Sequence, residues 1–446
     1  MRGPRTARSP RRTMAEPAAT PQAAAPQAAA PQATAAKLLR RPQLWLVPTV
    51  LTGLLALLLS LLYMGGIVNP NWELHDLPIA VVNDDTGKPP PGQQENLGAQ
   101  VTAAIAADTG GGKADWRTLT RAQAQDQLDS GKVYGALVVP AGFTDSVTAL
   151  TTSGATRQPT IVVLTNPGKG SLGSSLAGQI TTKAAHQASQ NIGKQLTAAA
   201  GEQTSPTVKT LLTDPVKVVT QVGHPIGANS GLGLTAFYYT LLLVLAGFMG
   251  GNVISNGVDT ALGYADNEIG PWHTRRPTVP INRTQTLLLK MVMTAGITLL
   301  STSLVLVACV AILGMDASHL PLLWVYSYCA ALAVGLGVQA INAAFGGIGQ
   351  LVSMFVFIVL GLPSSGATVP LQAVPGFYRF LSHFEPMRQL SDGVRAILYF
   401  DARGDAGLTR SWIMIAIGTV LALVFGFAMT AYYDRAGHKR LTPQPA

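Results

Sequence analysis

Charge is scarce in this chain. Only 12% of its 446 residues are Asp, Glu, Lys or Arg, against 48% hydrophobic, and soluble proteins carry roughly 25% charged residues. The missing charge points to lipid. Cysteine is rarer still: Cys309 and Cys329 both lie within apolar runs, so no disulfide framework is indicated and both are read as small packing residues. The chain has no G-x-x-x-x-G-K-[ST], H-E-x-x-H, Cys-x-x-Cys or G-x-S-x-G sequence. It therefore carries no P-loop, and no catalytic, cofactor or metal site is expected: it is read as not an enzyme. No Asp or Glu sits deep in an apolar run, which argues against a proton relay.

What is abundant is long hydrophobic sequence. Leu44–Ile67 holds no ionisable residue apart from Tyr63 and exceeds the ~20 residues that cross a hydrocarbon core. It is too long for a signal peptide and shows no small-residue cleavage site, so a retained span is expected. Further runs occupy Leu232–Ile254, Thr286–Leu313, Leu320–Ile341, Phe345–Leu362 and Trp412–Tyr432. Six spans are expected. The fifth is short and opens on Gly346, Gly347 and Gly349, so a re-entrant or kinked segment is an alternative. Gly247, Gly250 and Gly251 in the second span and Gly335 and Gly337 in the fourth are expected to let helices approach closely.

The net charge of +9 is concentrated at the amino terminus, where eight Arg and Lys residues up to Arg41 face Glu16 alone. That cluster is an orientation signal rather than a nucleic-acid surface, and no nucleic-acid partner is expected. With Arg435, Lys439 and Arg440 after the last run, it predicts both termini in the cytoplasm, hence an even number of spans. The richness in Ala, Gly, Pro and Arg suggests a GC-rich bacterium, hence a bacterial plasma membrane. Residues 1–36 are Ala/Pro/Gln repeats behind an Arg-rich start, read as a disordered tail, with Met14 an alternative start.

The expected fold class is thus a polytopic α-helical membrane protein with a large extracytoplasmic α+β domain between spans one and two. The domains read as a basic tail (1–41), the first span (42–68), the α+β domain (69–230), a five-helix membrane domain (231–433) with cytoplasmic loop 256–285 and external loop 363–410, and a cytoplasmic tail (434–446). Within 69–230, eleven basic and twelve acidic residues indicate no electrostatic partner. Strands are predicted at Leu77–Asn83, Val133–Pro140 and Pro159–Asn166. Helices are predicted at about Gln93–Ala107, at Thr118–Lys132 with Thr120 as N-cap and Gly131 as C-cap, and at Ser174–Ala200.

Several polar groups admit two readings. Asn83, Asp84 and Asp85, with His75 and Asp76, suit a turn that stops a strand, or else a cation site. NPGKG (Asn166–Gly170) reads as a loop. In 256–285, Asp259, Asp266 and Glu268 balance Arg275, Arg276 and Arg283; this is either a partner-docking segment long enough for a short helix or a solvated connection. Lys290 is expected to snorkel to the membrane surface. Pro386–Phe400 reads as an amphipathic helix. Glu385, Arg388, Asp392 and Arg395 form its charged stripe, opposite Leu390, Val394, Ile397 and Leu398. The stripe is read as a solvated salt-bridged face on a helix resting at the membrane surface, or as an external gate.

Three stretches carry a family resemblance: LPIAVVNDDTG (Leu77–Gly87), YGALVVPAGFTDSV (Tyr134–Val147) and the segment Ser364–Tyr399, with its Pro-centred turns and late Arg. In this order they resemble the YhgE/Pip-like and nitrosoguanidine-resistance-like membrane proteins, relatives of type-2 ABC exporter permeases, over about Gln43–Tyr433. The resemblance implies one span, an external domain and five further spans. It also implies an export permease for an amphiphilic or lipid-linked compound, or resistance to a toxic one. Implied partners are the lipid bilayer, a separate ATPase subunit and a second copy or homologue in a homodimer or heterodimer. The alternative is a non-transporting surface scaffold or receptor, serving secretion or binding phage.

Overall fold

A computed structural model describes residue 35 and residues 39–107, 111–150, 158–200, 212–438 and 440. The expected disordered tail of residues 1–36 lies almost wholly outside them. The chain divides into two compact units, Met1–Leu57 and Leu58–Ala446, and helix α1 (Pro42–Gly65) crosses their boundary. In the first unit, Leu51, Leu54 and Leu57 are all at least 60% exposed. Such a surface is stable only where something apolar covers it.

The second unit opens with a five-stranded sheet: β1 (Leu77–Asn83), β2 (Ala114–Leu119), β3 (Gly135–Val139), β4 (Thr160–Thr165) and β5 (Lys217–Val222). Their order is β2-β1-β3-β4-β5. β1 runs parallel to β2 and β3, β3 is antiparallel to β4, and β4 is parallel to β5. Successive side chains of a strand point to opposite faces, and both faces are covered. Val81, Leu137, Val139 and Ile161 meet helices α2 (Leu97–Ala107), α4 (Phe143–Ala149) and α5 (Ser171–Ala200). Ala80, Val82, Ala136 and Val138 meet Ala124 and Leu128 of α3 (Arg121–Asp129). That double coverage is why β1 and β3 read as unbroken apolar runs.

α3 starts where its cap dictates. Thr120 accepts from the Gln123 amide while the Gln123 side chain accepts from the Thr120 amide, a complete capping box. The helix predicted over 118–132 is correspondingly shorter, because β2 claims Thr118 and Leu119 and Gly131 turns at φ +62°. β2 and β5 escape sequence reading because both are edge strands. β5 is mostly exposed, so neither carries a continuous apolar run.

Among the described residues, five helices are long and apolar enough to cross a membrane, where the sequence predicts six spans. They are α1, α6 (Thr235–Ala261), α7 (Arg283–Leu306, continued to Ile312), the stretch Leu320–Ser364 and α11 (Leu408–Arg435). The fourth takes in both the fourth and fifth expected spans. At 1.5 Å per residue its 45 residues would reach roughly 68 Å if straight, but it is not straight. α8 (Leu320–Phe345) ends at Gly346, whose φ of +60° and ψ of −128° suit glycine alone. A tight turn leads into α9 (Gly349–Met354) and a π-helical turn, Phe355–Val359. The Phe357 ring comes within 2.6 Å of where a Gly337 side chain would begin, so the chain folds back along α8.

Small residues let these helices touch, as membrane packing requires. A Cβ on Gly247 would lie 2.5 Å from the Ala331 carbonyl, and one on Gly251 2.9 Å from Val338, so α6 and α8 are in backbone contact. Gly250 does not share that role: open space surrounds its position. Tyr239 and Ser327 add a buried hydroxyl pair at 2.8 Å across the same seam.

Candidate functional site

The expected external segment 363–410 carries α10 (Pro386–Tyr399), opened by Pro386 and capped by Glu385, whose carboxylate accepts from the Arg388 amide at 3.1 Å. The structure corrects the reading of its stripe as a solvated face on a surface helix. Leu390, Val394, Ala396 and Ile397 pack into one apolar cluster with residues of α6, α8 and α11. The charged side is roofed by protein rather than water. Arg395, only 4% exposed, donates to the Ala367 carbonyl at 2.6 Å and to the Gly366 carbonyl at 3.3 Å. Gly170 permits this approach, since a Cβ there would stand 3.2 Å from the guanidinium. Arg388 reaches the Ser382 hydroxyl at 2.8 Å, and its contact with Asp392 is long, at 4.0 Å.

Beneath the same roof, Lys169 lies over the Tyr134 ring at 5.1 Å. Burial, opposed by Asp392 and reinforced by Arg395 and Arg388, lowers its ammonium to about 8. Burial likewise raises the Tyr134 phenol to about 12. The NPGKG segment is a short helical turn, pinned where the Asn166 amide donates to the carbonyls of Leu128 (2.8 Å) and Val133 (3.1 Å). Glu385 is 3% exposed, and its Oε1 has no hydrogen-bond partner. Burial raises its carboxyl to about 8, against the pull of two backbone N–H groups.

Next to this cap lies a groove of about 350 Å³ between α8, its returning strand of chain, α10 and α11. Val334, Gly337, Phe357, Leu421 and Phe425 make it apolar, and Gln389 supplies the polar point. The Gln389 nitrogen donates to the Ser382 carbonyl at 3.3 Å, while its buried oxygen has no partner.

The expected docking segment 256–285 forms a hairpin rather than a short helix: β6 (Asn267–Ile269) pairs antiparallel with β7 (Trp272–Thr274). Asp266, Glu268, Arg275 and Arg276 are exposed on or beside it, with Asp266 within 3.5 Å of Arg275. Asp259 is not grouped with them. On the last turns of α6 it binds Lys290 of α7 at 2.9 Å and Arg440 at 2.6 Å, so both its oxygens serve contacts within the chain. Lys290 does not snorkel: it is 7% exposed, and its ammonium also meets the Ser255 hydroxyl at 2.9 Å. Around these groups lies a polar cavity of about 260 Å³, walled also by Gln339 and Asn342. A lysine entering a span was a visible signal; the partners that α6 brings to it, Ser255 and Asp259, were not.

The turn after β1 resolves differently from a cation site. Asp85 accepts from the amides of Gly87, Gly98 and Thr144 and from the Thr144 hydroxyl, while Asp84 faces Arg121 at 3.8 Å. His75 points Nδ1 at the Glu73 carbonyl, 2.7 Å away. Among the described residues no group of three or more His, Cys, Asp and Glu is arranged to hold a metal. A cavity of about 440 Å³, lined by Ile105, Trp116, Lys183 and Gln187 among others, lies against the sheet domain.

Apolar helices of spanning length, joined to a covered α/β sheet, define a multi-pass membrane protein. Residues 48–418 match the family described as "Protein of unknown function (DUF3533)", and the chain belongs to that family. It is similar to YhgE of Bacillus subtilis (strain 168), an uncharacterized protein, with 25% identity over 240 residues. The match covers 53% of this chain and 28% of that relative. No solved structure matches.

Proposed function

We propose that this protein is a permease-like exporter in a bacterial plasma membrane, with both termini cytoplasmic and the sheet domain outside. It moves an amphiphilic or lipid-linked compound, or removes a toxic one. The observation that carries this reading is the apolar groove with the unpartnered Gln389 oxygen at its wall. Such a surface suits a hydrocarbon chain with one polar group nearby, which is the pattern of small-ligand sites generally. The fold-back at Gly346 supports six passes, in keeping with an even number. The protein itself performs no catalysis in this reading. An ATPase subunit docking on the exposed Asp266–Arg276 hairpin supplies energy, and a second copy or homologue completes the path.

The test uses Gly418, which lines the groove and has open space where a Cβ would go. Deleting the gene should sensitise cells to at least one member of a panel of amphiphilic toxins. The wild-type gene should restore growth, whereas Gly418→Trp, present in membranes at the same level, should not. Full restoration by Gly418→Trp would remove the groove from the mechanism.

A second reading is favoured by the 440 Å³ cavity on the sheet domain, which mixes Trp116 and Ile105 with Lys183 and Gln187. A surface receptor or scaffold that captures an external ligand there needs no groove. Loss of ligand capture on Trp116→Ala, with toxin sensitivity unchanged throughout, would favour it.

A further inference from the structure

We propose that the cavity between the ends of α6, α7, α8 and α11 binds an anionic phosphate ester bearing hydroxyl groups, the chemistry of a glycerophosphate head group. The inference concerns binding only and holds whether or not the protein transports.

The charge comes first. Lys290, Arg283 and Arg440 line the cavity against a single carboxylate, Asp259. Asp259 is fully engaged, one oxygen with Lys290 and the other with Arg440. Nearby Asp434 accepts from the amides of Arg283 and Thr284 and from the Thr284 hydroxyl, and it is not part of the lining. The lining thus sets three cations, of which Lys290 is buried and Arg283 and Arg440 are partly buried, against one carboxylate, with Asp434 beside Arg283. An excess of positive charge favours a bound anion.

The donors are held in place. Arg440 stacks over the Tyr264 ring at 4.3 Å, with one terminal nitrogen on Asp259 and the other, buried Nη1, without a partner. Arg283 lies over Tyr433 at 5.4 Å and is tethered through Nε to the His438 carbonyl at 2.8 Å. Planar guanidinium groups fixed in this way suit phosphate oxygens.

The acceptors identify the rest of the ligand. Gln339 is fully buried, and its amide nitrogen donates to the Gly251 carbonyl at 2.9 Å and the Thr294 hydroxyl at 3.1 Å. Turning the amide over would set its oxygen against the Gly251 carbonyl, so the orientation is determined. Asn342 is oriented by its donation to the Asn252 side chain at 2.9 Å. The oxygens of both amides, Gln339 Oε1 and Asn342 Oδ1, are without partners; the Asn342 oxygen stands against Gly349, so the fully buried Gln339 carries the argument. An orphaned buried acceptor carries a desolvation penalty that a donor removes. Inorganic phosphate has as donors only the P–OH groups on the anion itself, whereas a glycerol ester adds carbon-borne hydroxyls that can donate away from the phosphate. At about 260 Å³ the cavity is also several times the ~30 Å³ share of one water molecule.

Purified full-length protein in nonionic detergent would be titrated, with native mass spectrometry as readout, against short-chain phosphatidylglycerol, short-chain phosphatidylcholine, glycerol phosphate and inorganic phosphate. Phosphatidylglycerol or glycerol phosphate should bind at least about tenfold more tightly than phosphatidylcholine and inorganic phosphate, the equivalent of ~1.4 kcal/mol. Preference for phosphatidylglycerol over glycerol phosphate assigns the site to a lipid head group; equal affinity assigns it to the soluble ester. Arg440→Gln and, separately, Gln339→Leu should each weaken binding by about tenfold, the size of one charge-assisted or buried hydrogen bond. Both should melt within a few degrees of wild type; if one fails to fold, the other decides. Equal binding of all four probes, binding of none, or binding unchanged in a folded variant would overturn the proposal.

Discussion

Asp85 and Thr144 meet at a hydrogen bond of 2.5 Å between carboxylate and hydroxyl, although 59 residues separate them. The same carboxylate takes the Thr144 amide, so it joins the end of β1 to the start of α4. Replacing Asp85 by Ala strands several buried donors, each worth ~1–3 kcal/mol when left unpaired. The expected result is a loss of about 3 kcal/mol or more, seen as a clear fall in the melting temperature of the purified protein. Asp85→Asn should fall between. Calcium, magnesium or a chelator should leave the wild-type melt unmoved, and a large metal-induced rise would return the turn to the cation reading.

Glu385 makes stability depend on pH in a definite direction. Burial lifts its folded carboxyl to about 8, well above the 4.5 of an exposed glutamate. Between those values the folded state holds a proton that the unfolded state has released, so stability falls as pH rises through that window and levels off above 8. Glu385→Gln keeps an oxygen to accept from the Arg388 amide and has nothing to ionise. Melting curves from pH 5 to 9 should show wild type losing ground steadily to this variant. Parallel curves would mean that the carboxyl is charged throughout.

Orientation can be read by labelling. With Cys309 and Cys329 replaced by Ala, a cysteine at the exposed Gln94 should react with an impermeant maleimide on whole cells. A cysteine at the exposed His273, in the hairpin, should react only after lysis. The reverse pattern would invert the proposed topology and move the proposed ATPase contact to the wrong side.

How much of this was legible in the sequence differs from element to element. β1 and β3 were, because burial on both faces leaves an unbroken β-branched run ending in turn residues. α3 was legible at its start, where Thr120 and Gln123 are a local code, but not over its full length, because β2 is an edge strand of mixed polarity. For α10 the amphipathic pattern located the helix but not its surroundings. A charged stripe looks alike whether water or protein covers it, and the groups that cover this one, Gly366, Ala367 and Lys169, lie far off in the chain. The Lys290–Asp259–Arg440 group was hidden for a related reason. Each residue has a bland local explanation, and only the packing of α6, α7 and α11 brings them within 3 Å.

The placement of β5 bears on how the protein is made. This strand pairs with β4 although 51 residues intervene between Thr165 and Lys217, among them the whole of α5. A ribosome must therefore have delivered Lys217–Val222 before the sheet can close, and α6 begins only a dozen residues later, at Thr235. Domains form as units while a chain is synthesised, at roughly 5–20 residues per second, so the interval between the last strand and the next membrane helix is about a second or two. Completion of the sheet and entry of α6 into the bilayer thus fall in the same moment of biogenesis, and a delay in pairing β5 leaves the edge of β4 open to another chain.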